Sequence, residues 1–229
     1  MIKMPAINLD DYGGANAFSW THEYLQNYLT NGKHRIIKRP LLKNAFSQIH
    51  RSDFVLKEFE AFSNEDRELD IGYGEVINKP TVIAEILELL SIKLGGKYLD
   101  IGTGSGYVAA LLGMSVGDDG IVYSLERIQF LADIARINLS KYPDLQNVKI
   151  LFRDGSNGFS DYAPYDGIHI ATAFDEVPKS ILVQLKIGGK LVMPTTFNDI
   201  RLYERIGEDD FEETVIEGYK FDPMQKGVE

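Results

Sequence analysis

The sequence predicts an α/β fold: a doubly wound, mostly parallel sheet with helices on both faces, preceded by a helical segment. Three observations predict it. From Tyr98 onward, short apolar runs of strand length alternate with helical stretches, the pattern of parallel βαβ units. The first of these strands runs into a glycine-rich turn, Gly102-Thr103-Gly104-Ser105-Gly106, and an apolar helical segment follows. Acidic residues stand at the ends of three successive strands: Asp100, Glu126 and Asp154.

Taken in order, residues 1 to 40 carry turn signals at Gly13-Gly14 and Asn31-Gly32. Between them Phe18, Trp20, Tyr24, Leu25, Tyr28 and Leu29 recur at helical spacing, which reads as a core-facing stripe. Leu42, Ala45, Phe46 and Ile49 predict a second helix. Residues 62–70 are polar and read as a loop. Ile71 to Pro80, with two glycines and a proline, reads as irregular, with Asn78 as N-cap and Pro80 in the first turn of a helix. That helix carries Val82, Ile83, Ile86, Leu87 and Leu90 on one side. The expected sheet strands are 97–101, 121–125, 148–152, 167–171 and 190–194, with helices near 107–114, 127–140 and 179–185. The tail, 201–221, reads as antiparallel strands separated by Gly207-Glu208-Asp209-Asp210. The division expected from this pattern is an N-terminal helical segment over 1–75 and a sheet domain over 76–229.

Composition narrows the function. A formal charge of −10 disfavours a phosphate-backbone partner, so no nucleic acid is expected, and the basic run Lys33 to Arg39 reads as a solvated face. The chain contains no cysteine, which removes disulfides, thiolate metal sites and a cysteine nucleophile. His22, His34, His50 and His169 show no H-E-x-x-H spacing and read as surface or packing histidines, so no metal is expected. The N-terminal residues lack the apolar core of a signal peptide, and the most apolar run, 107–116, is too short to span a bilayer. The expectation is a cytoplasmic protein without membrane contact.

The glycine turn can receive a ligand on the backbone amides that open the following helix. A dinucleotide site more often reads G-x-G-x-x-G. Here the third glycine comes one residue early, and Asp100 stands beside the turn, an arrangement that suits a cationic ligand. In this fold the three acidic strand ends share one rim. Glu126, about twenty residues past Gly106, is placed for both hydroxyls of a ribose, Asp154 for an adenine amino group, and Asp100 for an amine or a sulfonium.

The run Leu99-Asp100-Ile101-Gly102-Thr103-Gly104-Ser105-Gly106-Tyr107 resembles motif I of class I S-adenosylmethionine-dependent methyltransferases, whose sheet is Rossmann-like. Within that group the chain resembles protein-L-isoaspartate O-methyltransferases. Ala45-Phe46, Arg51, Phe54-Val55, Ile71-Gly72-Tyr73-Gly74, Asp154-Gly155, Ala163-Pro164-Tyr165-Asp166, Val177-Pro178, Gln184-Leu185-Lys186 and Gly188-Gly189-Lys190-Leu191 follow in that family's order, over residues 41–195. The resemblance implies a methyl donor, S-adenosylmethionine, and an isoaspartyl protein or peptide as acceptor. It makes 76–229 the cofactor-binding methyltransferase domain and places the substrate-side loop before residue 76. It assigns Ile77, Asp100, Gly102, Thr103, Gly104, Ser105, Gly106, Glu126, Arg127, Asp154, Gly155 and Thr172 to the cofactor, and sets Ala171-Thr172-Ala173 beside the substrate.

Two departures stand out. The family pattern Gly-Gln-Thr-Ile-Ser-x-Pro reads here Gly74-Glu75-Val76-Ile77-Asn78-Lys79-Pro80, so the catalytic serine position is Asn78. Phe174 replaces a small residue and is expected to narrow or cap the substrate pocket. Three alternatives stay open at this point: another methyl acceptor, a catalytically silent cofactor-binding protein, and a nicotinamide-dependent oxidoreductase, against which Asp100 and the early third glycine count.

Overall fold

Apolar runs bounded by glycine and acidic residues fold into a seven-stranded sheet in the computed structural model, which describes residues 20–31, 35–219 and 227–228. Gly13, Gly14, Phe18, Gly32, Lys33, His34 and Phe221 lie outside the described residues. Helix α1 (His22–Thr30) begins at Thr21, whose hydroxyl accepts from the Tyr24 amide at 3.1 Å. Helix α2 (Pro40–Gln48) opens on a proline, whose missing N–H costs nothing in a first turn. Leu25 and Leu29 of α1 and Leu42, Ala45 and Phe46 of α2 are buried in one core cluster. The Trp20 ring meets Tyr24 and Tyr28 edge-on at 4.7 and 5.0 Å, as expected of a core-facing stripe.

The segment read as irregular is a hairpin. Strands β1 (Leu69–Gly72) and β2 (Glu75–Ile77) pair antiparallel. The two turn residues, Tyr73 (φ 58°) and Gly74 (φ 76°), both take the positive φ that a tight hairpin turn requires. The polar stretch read as loop therefore ends at Glu68, and the hairpin runs across the division expected at residue 75. Helix α3 (Pro80–Leu90) follows, with Lys79, not Asn78, at the N-cap. Its first turn is capped from a distance, because Asp66 accepts from both the amide and the hydroxyl of Thr81 at 3.0 and 2.8 Å. Ile83, Ile86, Leu87 and Leu90 are buried, and each such side chain stabilises the fold by roughly 1.5–3 kcal/mol.

The main sheet comprises β3 (Lys97–Ile101), β4 (Ile121–Glu126), β5 (Val148–Phe152), β6 (Tyr165–Ile170), β7 (Leu185–Pro194), β8 (Asp199–Arg205) and β9 (Phe211–Glu217), in the order β5-β4-β3-β6-β7-β8-β9. The first five strands of that order are parallel, and β8 and β9 are added antiparallel. Helices α4 (Tyr107–Val116), α5 (Gln129–Leu139) and the short α6 (Lys179–Leu182) connect the parallel strands. Strand order reverses between β3 and β6, so the carboxyl ends of these two strands open the crevice where ligands bind in such sheets. Phe46 and Phe54 pack on Tyr107, ring to ring at 6.3 and 5.5 Å, which seats the N-terminal helices on α4 next to that crevice.

Among the described residues no helix is long and apolar enough to cross a membrane, and no group of three or more histidine, cysteine or acidic side chains could hold a metal ion. His22 and His50 stack at 4.0 Å. Burial holds the His22 pKa below its usual value, against a raising contact with the Ser47 carbonyl, and His50 lowers it further. A histidine depressed in the fold stabilises above its unfolded pKa and loses that contribution as pH falls. Stability should therefore decline as pH drops below about 6.5, and His22→Phe should flatten the decline. Chemical denaturation midpoints of both proteins at neutral and mildly acidic pH measure this; parallel curves would remove His22 as the cause.

Candidate active site

The glycine turn leaves β3 with positive φ at Gly102, Gly104 and Gly106 (95°, 55° and 96°), a path open to glycine and strained for other residues. It is held in place from β4. Glu126 is 5% exposed; its Oε2 accepts from the Gly104 amide at 2.7 Å and its Oε1 from the Ile128 amide at 3.0 Å. The Arg127 amide also supports this carboxylate. Burial raises the Glu126 pKa above the usual carboxylate range; the amides oppose the rise, and the nearby Glu75 carboxylate adds to it.

A pocket lies over this turn. It is lined by Gly102, Thr103, Gly104 and Ser105 of the turn, by Ile71, Val76 and Ile77 of the hairpin, and by Asn78 just after it. Tyr107, His169 and Ala171 also line it. The hairpin therefore brings Ile77 and Asn78 to the turn, although more than twenty residues of chain separate them.

Asp100, expected to neutralise a cationic group of the ligand, is held within the sheet. It is fully buried, and its register neighbours on β4 and β6 are Ser124 and His169. Ser124 Oγ donates to Asp100 Oδ2 at 2.6 Å, and His169 Nδ1 lies 2.7 Å from Oδ1. An ionised carboxylate only accepts, so the Nδ1 of His169 carries the proton. The Ser124 hydrogen is committed to Asp100, so the Thr103 hydroxyl, 2.6 Å away, must donate to Ser124. Both Asp100 oxygens are thus engaged inside the sheet, one by Ser124 and one by His169. His169 is 3% exposed and lines the pocket, more than the packing histidine expected. Its one sequence signal was a polar side chain within the apolar run of β6.

Asp154 and Gly155 follow β5. A Cβ at Gly155 would lie 2.5 Å from Ile101 Cγ2, so only glycine lets this turn pack against the end of β3. Asp154 Oδ1 accepts from the Ser156 amide and Oδ2 from the Gly227 amide, each at 2.8 Å. Neither Asp154 nor Thr172 lines the pocket over the glycine turn. Phe174 does not cap that pocket: its amide donates to the Pro194 carbonyl at 3.4 Å, and its ring packs on the second core cluster.

Sequence reasoning also passed over the role of Arg51, which is 0% exposed. Nη1 donates to the Ser63 and Glu65 carbonyls at 2.8 and 3.5 Å, and Nη2 to those of Arg67, Ile77 and Asn78 at 2.9, 3.3 and 3.0 Å. Burying an ion costs several kcal/mol, and here carbonyl dipoles offset the cost. Burial lowers the Arg51 pKa to about 10.

The family model described as Protein-L-isoaspartate(D-aspartate) O-methyltransferase matches residues 22–229. The chain belongs to this family. It is 43% identical over 151 residues to Protein-L-isoaspartate O-methyltransferase 1 of Archaeoglobus fulgidus, covering 66% of this chain and 69% of the relative. It is 38% identical over 206 residues to the Protein-L-isoaspartate O-methyltransferase of Flavobacterium psychrophilum, covering 89% of this chain and 95% of the relative. A solved protein-L-isoaspartate O-methyltransferase superposes with a TM-score of 0.77 at 25% identity, over 90% of this chain and 67% of the other. The Plasmodium falciparum beta-aspartate methyltransferase, solved in complex with S-adenosyl-L-homocysteine, has the same fold, with a TM-score of 0.78 at 19% identity over 90% and 98% of the two chains. The family match extends past the motif-bearing stretch, residues 41–195, at both ends.

Proposed function

We propose that this family member is an S-adenosylmethionine-dependent methyltransferase acting on the carboxylate of isoaspartyl residues in proteins or peptides, with Asn78 at the acceptor. The observation that carries the reading is the shared pocket: the segment aligned with the family's acceptor motif, Ile77–Asn78, lines it together with the glycine turn aligned with its cofactor motif. The turn fits the donor, because Gly102, Gly104 and Gly106 all take positive φ, and Gly102 and Gly104 bring bare backbone to the pocket.

When bound, S-adenosylmethionine supplies an activated methyl group on a cationic sulfonium. The residues that would hold it are Gly102 to Gly106 on the turn, Glu126 and Arg127 at the ribose end, and Asp154 and Gly155 at the adenine end, with Ile77 and Thr172 flanking. Asp100 would support the turn through Ser124 and Thr103, with His169 on its other oxygen. An acceptor carboxylate, with a reference pKa of about 3.9, is already ionised near neutral pH and needs no general base. Positioning therefore supplies most of the acceleration. The Asn78 amide can donate to one carboxylate oxygen and leave the other free to attack, the task the family pattern gives to a serine hydroxyl. The acidic surface charge supports a peptide acceptor over a polyanion.

Methyl transfer from labelled S-adenosylmethionine to an isoaspartyl peptide, with the normal aspartyl peptide as control, tests the activity; equal labelling of both peptides would overturn it. Glu126→Ala should weaken S-adenosylhomocysteine binding by roughly 1.5–3 kcal/mol, the range for hydrogen bonds to a charged group. Calorimetry reads that loss, and NAD should give no heat. An unchanged affinity in the variant, or NAD binding by the wild type, contradicts the cofactor assignment.

A further inference from the structure

The β1–β2 hairpin is a separate two-stranded sheet with no ladder to the seven-stranded one. Main-chain pairing to the large sheet therefore does not place Asn78 over the glycine turn. Arg51 lies where a placing contact is needed. Its guanidinium, with no described carboxylate within ion-pair distance, gathers carbonyls from two stretches of chain: Ser63, Glu65 and Arg67 before the hairpin, and Ile77 and Asn78 at its end. Asp66, within the first stretch, holds the start of α3 through Thr81. The chain from 63 to 81 is thus closed around one buried cation. The short helical turn that carries Arg51 (Arg51–Phe54) packs through Phe54 on Tyr107, which follows the glycine turn directly. A contiguous line of contacts runs from the glycine turn, through Tyr107, Phe54 and Arg51, to the main chain of Asn78.

We propose that Arg51 is a positioning residue for methyl transfer: it sets the main chain at Ile77–Asn78, and with it the acceptor side of the pocket, at the distance from the glycine turn that the reaction requires. The proposal rests on the reading of Asn78's pocket as the acceptor site. A planar fork reaching carbonyls in several directions suits this task. A lysine ammonium keeps the charge but presents one nitrogen, so it cannot span both stretches.

The test compares wild type, Arg51→Lys and Arg51→Gln, each checked for folding by its melting transition. Turnover and acceptor KM are measured on an isoaspartyl peptide, S-adenosylhomocysteine affinity by calorimetry, and amide hydrogen exchange over residues 69–78 against β3 and β4. Arg51→Lys should lose about 10²-fold in turnover, the scale of a misplacement of about 1 Å. It should raise acceptor KM, lower cofactor affinity far less than turnover because Ile77 only flanks the cofactor, and speed exchange in the hairpin alone. Unchanged turnover and KM would overturn the proposal. So would a parallel loss of cofactor affinity, or exchange that rises equally in hairpin and sheet, because either marks a merely structural role. If Arg51→Gln does not fold, Arg51→Lys carries the test alone. If the wild type does not methylate the peptide, the acceptor reading fails by itself. Hydrogen exchange then decides the present proposal, with an unchanged hairpin refuting it.

Discussion

Asn78→Ala should cut turnover on an isoaspartyl peptide by about 10²–10³-fold, by analogy with loss of one preorganised oxyanion donor. Asn78 is half-buried, lines the pocket over the glycine turn, and is not the N-cap of α3, so its side chain is not spent on that helix. Its backbone is held by Arg51 at 3.0 Å, so removing the side-chain amide should leave the main chain in place. S-Adenosylhomocysteine affinity should stay nearly unchanged, because in the function proposed above the donor acts on the acceptor carboxylate. Asn78→Ser restores the family's residue and should retain or raise activity. Glu75 works against an incoming carboxylate, since it is half-buried on the same hairpin and its charge already reaches Glu126. Assays of the three proteins on one peptide decide the matter, and equal turnover in all three would remove Asn78 from the chemistry.

Gly102→Val should weaken S-adenosylhomocysteine binding by about 10²-fold or more. Gly102 has φ 95°, where a side chain costs on the order of 1–3 kcal/mol of backbone strain. Its Cβ would also lie 2.9 Å from Ala171 Cβ, and such overpacking adds about 1–3 kcal/mol. A loop displaced to relieve about 3 kcal/mol corresponds to about 10²-fold in affinity. The next residues carry the contacts at stake, since Thr103 belongs to the Asp100 network and the Gly104 amide is held by Glu126. Ala171→Gly in the same chain removes the overlap but not the strain, and should recover only part of the affinity. Wild-type affinity in Gly102→Val, or full recovery in the double variant, would show that backbone conformation at this turn is not what the cofactor needs.

The alternation of strands and helices after residue 97 was legible because the central parallel strands β3, β4 and β6 are largely buried on both faces and so form short apolar runs. Every sheet strand expected there is present, although β6 and β7 begin earlier than expected, at Tyr165 and Leu185. The glycine turn and the acidic strand ends were legible because backbone conformation and strand termination leave local marks. The hairpin was misread because its glycines look like breakers; Tyr73 and Gly74 form a tight turn only when the flanking strands pair. The N-cap assigned to Asn78 failed because Asp66, fifteen residues away from Thr81, supplies the cap.

What the sequence by itself determined is therefore the parallel sheet, the glycine turn and the acidic residues near the strand ends, each encoded within a few neighbouring residues. What only the tertiary structure decided is how charges are used. Asp100 faces Ser124 and His169 because strand register aligns them, and Arg51 reaches the carbonyls of Ile77 and Asn78 because the chain folds back over it. A charge buried in the fold must find its partners wherever the packing brings them, and residues 26 or 69 positions apart in the chain leave no local sign that they will meet.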